Sequence, residues 1–284
     1  MNPLQKIAHK IDKKVAKHKA KKVKSWLNTH QPAQHEAQTA IFAHRGSKSN
    51  RPENTLASFQ EAIRVQSDGI ELDVHLSADN QLIVIHDEKV DRTTNAKGLV
   101  RKLTLADIKK LDAGSWFSPG FANEKIPTLN EVLTLLTEQN FTGSLNIEIK
   151  TDKYHYPDIE KLLSHQMTSQ NWQFSYLYSS FNLSSLAIIH KLEQTTELAY
   201  LTYNHKKDVI LGNKQDFITS IHPKKTYAFD NPNQTMSNPK PIRLWTINNS
   251  LEMQIAYQEN VEAIITDHPE KALQLRDKFN KPHS

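Results

Sequence analysis

Residues 41–87 read IFAHRGSKSNRPENTLASFQEAIRVQSDGIELDVHLSADNQLIVIHD, and their alternation of apolar and charged positions sets the expectation for the fold. IFAH is a short apolar segment suited to a buried strand, and RGSKSNRP after it is a polar loop. Leu56, Phe59 and Ile63 then recur at helical spacing, with Val65 off register, and the Asn54-Thr55 pair near Pro52 offers start chemistry for that helix. GIELDVHL separates into two faces, with Ile70, Leu72, Val74 and Leu76 on one and Glu71, Asp73 and His75 on the other. QLIVIHD repeats the pattern and ends on His86. Charges on the inward face of a buried strand are costly unless they bind or react with something.

From Ile41 onward strands and helices continue to alternate. TLNEVLTLLTEQ is helical through Leu129, Val132, Leu133 and Leu136, and SLNIEIK sets Leu145, Ile147 and Ile149 opposite Asn146, Glu148 and Lys150. PDIEKLLSHQM, LSSLAIIHKL, LEMQIAYQEN and KALQLRDKF read as helices. QFSYLYSSF, ELAYLT, FITSIHP, IRLWTIN and AIITDHP read as strands. Residues 88–127 break the rhythm with a basic Thr-rich loop, a short helix in TLADIKKLDAG and the aromatic segment SWFSPGF, so they are expected to leave the barrel as an excursion. DNPNQTMSNPKP carries three prolines and is expected to be non-helical, leaving one flank of the barrel bare. Repeated βα units of this length predict a TIM (β/α)8 barrel.

Composition narrows the function classes. With no cysteine among 284 residues, no disulfide or thiolate metal site is possible, and any metal must use oxygen or imidazole. Nine of the 36 Lys and Arg and one of the 31 Asp and Glu fall in residues 1–30, a local +8, so the remainder carries −3. The basic balance therefore belongs to a tail, which argues against a nucleic-acid surface on the main body. In that tail Leu4, Ile7, Ile11 and Val15 fall at helical spacing, and Val23, Trp26 and Leu27 form a second apolar patch. It reads as a basic amphipathic helix that meets an anionic membrane surface or a partner, or else as a solvated extension. The domain expectation is a 1–40 extension and linker followed by a 41–284 barrel with an insertion at about 88–125. No secretory signal and no apolar run near the roughly 18 residues of a spanning helix is found. The expected location is cytoplasmic, with peripheral membrane contact through the tail.

In a barrel of this kind the C-terminal ends of the strands converge on one mouth. His44 and Arg45 close the first strand, Glu71 and Asp73 lie late in the second, His86 ends its hairpin, and Glu148 and Lys150 end the next. Glu71, Asp73 and Glu148 make an all-oxygen set for one hard divalent cation, Ca²⁺ or Mg²⁺. Two histidines over such a site suit general base and general acid across a phosphorus centre, with Arg45 and Lys150 on the phosphate. The alternative for the charged set is a structural network of Glu71 and Asp73 with Arg45 and Lys150. His75 is left outside the set, as a supporting or a surface residue.

The ordered motifs resemble the glycerophosphodiester phosphodiesterase family, TIM-barrel phosphodiesterases like the phosphatidylinositol-specific phospholipases C. They are His44-Arg45-Gly46, Pro52–Thr55, Glu71–Val74, His86-Asp87, Arg92–Thr94 with Gly98, Leu111–Phe117, Ile126–Leu133 and Leu145–Lys150. Weaker echoes follow at Ser180-Phe181, Trp245-Thr246 with Asn248, and Thr266-Asp267, so the resemblance spans about residues 41–275. It implies cation-dependent hydrolysis of a small glycerophosphodiester to glycerol 3-phosphate and an alcohol. It also implies acid/base roles for His44 and His86, metal binding by Glu71, Asp73 and Glu148, and phosphate contacts from Arg45 and Lys150. Trp245 is a candidate for stacking on a substrate headgroup, against the commoner role of a core tryptophan. Two rivals are a lysophospholipase D acting at a membrane surface and a non-catalytic barrel that keeps the phosphate pocket.

Overall fold

The structure, a computed structural model, describes residues 36–281. The amphipathic helix expected within residues 1–30 lies outside the described residues.

The strands are β1 Ala40–His44, β2 Gly69–Leu76, β3 Leu82–Val84, β4 Ser144–Ile149, β5 Ser175–Ser180, β6 Glu197–Thr202, β7 Ser220–Pro223, β8 Arg243–Trp245 and β9 Ala263–Thr266. All but β3 run parallel, in the order β7-β6-β5-β4-β2-β1-β9-β8, and β3 pairs antiparallel with the outer end of β2. Single parallel bridges, Ile221 to Ile242 and Lys224 to Trp245, join β7 to β8 and bring the sheet close to a closed eight-stranded barrel. Every residue of β2 is buried. The alternation in GIELDVHL therefore separates two buried faces, one toward the helices and one toward the barrel interior.

The helices are α1 Leu56–Arg64, α2 Leu105–Ile108, α3 Leu129–Glu138, α4 Ile159–Met167, α5 Leu183–Leu192, α6 Lys206–Asn213, α7 Lys225–Asp230, α8 Pro232–Met236, α9 Ser250–Gln258 and α10 Pro269–Asn280. Thr55 caps α1 by accepting from Ser58 N, and the Ser58 side chain accepts in return from Thr55 N. Thr128 and Glu131 form the same reciprocal box on α3. Thr128→Ala is expected to cost about 1 kcal/mol in chemical denaturation without altering activity.

Two expectations need correction. The flank at 225–236 is not bare, because α7 and α8 fill it. Pro232 occupies the first turn of α8, where its missing N–H removes no helical hydrogen bond. The other two prolines, Pro239 and Pro241, follow the helix rather than interrupt it. α6 went unread because it buries only Val209 and Gly212 and so shows little amphipathic periodicity.

Between β3 and α3 the chain builds a small separate core from Ile83, Ile85, Val90, Val100, Ile108, Ala113 and Ile126. This segment sits beside the barrel mouth, and Arg92 within it reaches back to the mouth, as described next.

Candidate active site

The last residue of β1 is His44, and the chain then turns sharply. Arg45 and Gly46 both have positive φ, 55° and 75°. A Cβ on Gly46 would lie 2.4 Å from Ser58 Oγ and 2.6 Å from the Ser58 carbonyl carbon, so only glycine lets this turn rest on α1. The turn aims Arg45 N at Glu71 Oε2 (2.9 Å), and the guanidinium reaches Glu53 Oε1 at 2.8 Å and Asp73 at 3.3 Å.

Register decides which carboxylates meet. β2 and β4 pair with Asp73 opposite Glu148 and Glu71 opposite Asn146. All three carboxylates are buried, and each offers an oxygen within 4.8 Å of the others. Lys150 Nζ lies 2.5 Å from Glu148 Oε1 and 2.9 Å from Asp73 Oδ1, while Asn54 Nδ2 donates to Asp73 Oδ2 at 2.8 Å. The expected charge network thus exists, but it does not satisfy the cluster. Asp73 Oδ1 meets Lys150 outside hydrogen-bonding geometry and is left, like Asn146 Oδ1, as a buried acceptor without a hydrogen bond.

The titration of the three groups differs accordingly. Burial, with Asp73 and Glu148 alongside, pushes the Glu71 carboxyl well above the usual range. Burial also raises Glu148, against the opposing pull of Lys150. Burial would raise Asp73 as well, but Lys150, His86 and Arg45 outweigh it and hold that carboxyl well below its usual value. Three crowded carboxylates with unfilled acceptor positions and no softer donor are chemically suited to a hard divalent cation.

His44 and His86 each rest on a carboxylate. His44 Nδ1 lies 2.6 Å from Asp267 Oδ1, and Asn248 fixes Asp267 by donating from Nδ2 to Oδ2 (2.7 Å) and accepting from its backbone N–H (2.9 Å). His86 Nδ1 lies 2.6 Å from Asp87 Oδ1. In both pairs the carboxylate favours a proton on Nδ1, which leaves Nε2 for chemistry. Burial, reinforced by Arg45, lowers His44 to about 4, so its imidazole is neutral at pH 7.

His75 is neither surface nor spare. It is fully buried, with Nδ1 2.8 Å from the Tyr156 hydroxyl and Nε2 3.1 Å from the His86 carbonyl oxygen, so it fixes the backbone that carries His86.

The two halves of the mouth are tied together by Arg92. Its Nε donates to Asp87 Oδ2 (2.7 Å), and Nη1 and Nη2 donate to Glu53 Oε2 and Oε1 (2.9 and 2.7 Å). Glu53 in turn holds Arg45. Glu53, Asp87, Arg92 and Asp267 lie within the sequence motifs, but their spacing there gives them no role, because only the fold shows what they touch. Arg92→Ala should reduce kcat by roughly 10–100-fold, the usual cost of losing a residue that orients site groups. KM should change little, and steady-state kinetics on the purified variant check the split.

The pocket at this mouth has a volume of about 140 Å³ and is lined by His44, Arg45, Glu71, His86, Glu148, Lys150 and Trp245, among others. Asp73 lies behind them. The opposite wall is aromatic, with Phe181 stacked on Tyr203 at 4.5 Å and Trp245 edge-on to both. The Trp245 indole is held by donating from Nε1 to the His222 carbonyl oxygen at 2.7 Å. The structure therefore brings every sequence-predicted site residue to one mouth.

Residues 44–271 match the model of the glycerophosphoryl diester phosphodiesterase family. The chain belongs to this family. A glycerophosphodiester phosphodiesterase of Bacillus altitudinis is 38% identical over 258 residues, covering 85% of this chain and 99% of that protein. One from Caldanaerobacter subterraneus is 39% identical over 241 residues, covering 84% and 97%. A solved structure of an Oleispira antarctica phosphodiesterase, in complex with the product sn-glycerol-3-phosphate, superposes with a TM-score of 0.73 at 28% identity. That match covers 84% of this chain and 96% of the other. As a member of the glycerophosphodiester phosphodiesterases, the chain is a phosphoric diester hydrolase. In this chain the pocket at the barrel mouth holds two histidines, and the carboxylate cluster beside it could coordinate a divalent cation.

Proposed function

We propose that this hydrolase cleaves small glycerophosphodiesters to glycerol 3-phosphate and an alcohol, using His44 and His86 as its acid/base pair. The observation that carries the reading is the placement of two carboxylate-backed histidines in one pocket with Glu71, Glu148, Arg45 and Lys150. Glu71, Asp73 and Glu148 are the residues that would hold one Ca²⁺ or Mg²⁺. Bound there, such an ion would supply Lewis-acid stabilisation of charge on the phosphoryl oxygens.

Neutral His44 is suited to take the proton from the attacking oxygen through Nε2, while Asp267 stabilises the imidazolium that forms. His86, beside Asp87, then protonates the departing alkoxide in this scheme. Arg45 and Lys150 orient the phosphate and offset its charge. Trp245, in the aromatic wall, is assigned to the organic part of the substrate.

The same proposal divides the chain into a 1–40 extension and a 41–284 barrel with an insertion at about 88–125. It places the protein in the cytoplasm, with the lysine-rich tail meeting anionic membrane. Among the described residues no helix is long and apolar enough to cross a membrane.

Purified protein is to be assayed with glycerophosphocholine, glycerophosphoglycerol and lysophosphatidylcholine, with glycerol 3-phosphate and free choline read separately. Glycerol 3-phosphate from the first two supports the proposal. Turnover confined to the lysophospholipid would replace it with the lysophospholipase D reading, and no turnover on any would favour a binding barrel.

A further inference from the structure

The pocket at the barrel mouth has a second surface, different in character from its charged floor. Phe181, Tyr203 and Trp245 form one aromatic wall of the lining, and Tyr203 is 48% exposed within it. Open ring surface of this kind in a mouth of carboxylates, bases and imidazoles marks a place where a ligand rests. Asp152 and Lys153, just past the end of β4, and Glu88, after the His86-Asp87 pair, also line the pocket.

The charges of this lining are unevenly matched. Arg45 is held by Glu53 and Asp73, Lys150 by Asp73 and Glu148, and Lys153 by Glu88 at 2.8 Å. Asp152 is exposed and has neither an ion pair nor a hydrogen bond among the described residues. Its charge still bears on the aromatic wall. Burial pushes the Tyr203 phenol up, and Asp152 comes first among the charged groups that act on it.

Ring faces beside an unpaired carboxylate attract a cation, even one with no hydrogen bond to donate. A quaternary ammonium suits them best, because its methyl groups meet the rings while its charge meets the carboxylate. A neutral polyol headgroup would leave hydroxyls against ring faces, and an anionic headgroup would be repelled by Asp152.

We infer that Asp152 and the rings of Phe181, Tyr203 and Trp245 form the headgroup subsite of this mouth, selecting diesters of a quaternary-ammonium alcohol of the choline type. The inference rests on the hydrolysis proposed above and adds to it which alcohol leaves. With the phosphate on Arg45 and Lys150, the short ethylene link of choline carries its cation to the opposite wall. Asp152 and Tyr203 bind there and take no part in proton transfer.

The test compares kcat and KM for glycerophosphocholine, glycerophosphoethanolamine and glycerophosphoglycerol, with glycerol 3-phosphate as the common readout. The parent should favour the choline diester over the glycerol diester in kcat/KM by roughly tenfold, with the ethanolamine diester between them. Asp152→Asn should lower the choline-to-glycerol ratio by roughly three- to fivefold, through KM for the choline diester rather than kcat. Asp152→Lys should lower it further, and Tyr203→Leu, at an exposed position, should lower it as well. Added salt should shrink the parent's ratio and leave that of Asp152→Asn nearly constant. Equal kcat/KM for the choline and glycerol diesters in the parent would overturn the inference, as would a ratio that Asp152→Asn or Tyr203→Leu does not move. In those outcomes glycerol 3-phosphate is still released, so the hydrolase reading stands. If no diester turns over, calorimetric titration of parent and Asp152→Asn with the choline and glycerol diesters in Mg²⁺ decides instead. Tighter binding of the choline diester that Asp152→Asn weakens would keep the subsite while the hydrolysis falls. Equal binding of the two diesters, or none, would remove both.

Discussion

His44→Ala and His86→Ala each lower turnover by about 10²–10⁴-fold, the contribution of a positioned acid or base to proton transfer. The two should act on kcat more than on KM, because the proposed mechanism gives the phosphate to Arg45 and Lys150 rather than to either histidine. The fold should survive both. His86 ends a short hairpin, and its side chain is about one-third exposed. Without His44, Asp267 keeps Asn248 at 2.7 Å and Lys48 at 3.6 Å, so its carboxylate is not stranded. Steady-state kinetics with a thermal unfolding scan of each variant separate the two effects. Rates near the parent's in a folded variant would remove that histidine from the chemistry.

Chelation is expected to abolish activity, and added Mg²⁺ or Ca²⁺ to restore it. Stability should follow, with a cation at about 100 times its Kd contributing about 2.7 kcal/mol to the folded state. Glu71→Gln makes the sharper test because its two effects have opposite signs. The folded Glu71 carboxyl is raised well above its ordinary value by burial and by Asp73 and Glu148. A carboxyl raised on folding binds its proton more tightly in the native state, so its ionisation near pH 7 destabilises the metal-free fold. Glutamine removes that charge, and its amide oxygen can still accept from Arg45 N. The metal-free variant should therefore melt above the metal-free parent, yet gain nothing from Mg²⁺ or Ca²⁺ and turn over negligibly. Full activity of the parent after exhaustive chelation would refute the three-carboxylate site. A variant that melts below the parent would show that Glu71 is held by partners rather than strained by neighbours.

The site was legible to different depths at different residues. Glu71 and Asp73 stood out because a strand has a period of two, so two carboxylates at i and i+2 must share a face wherever the strand lies. His75 shared that spacing and defeated the same logic. Its environment depends on Tyr156, 81 residues away, and on the His86 carbonyl, neither of which local periodicity encodes. In the sequence Asp267 is only the end of the Thr266-Asp267 echo, although it sits under His44 across 223 residues of chain. Arg92 looked like loop composition and proved to bridge Asp87 and Glu53.

The elements divide in a similar way. β2 and β6 coincide with the runs GIELDVHL and ELAYLT, and α5 with LSSLAIIHKL, because burial on a regular period leaves a readable stripe. α6 and α8 leave little stripe. One is mostly exposed, and the other is a single short segment started by proline.

By itself the sequence determined the alternating βα order, the charged strand faces, the absence of thiolate chemistry and, through its ordered motifs, the family. Those features are written in spacing along the chain and need no partner to be read. Only the tertiary structure decided that Asp73 sits opposite Glu148, that Asp267 sits under His44, and that the barrel flank is covered. Such contacts join residues scores or hundreds of positions apart, and they are set by strand register and barrel closure. Shifting a register by one residue would send every side chain of that strand to its other face.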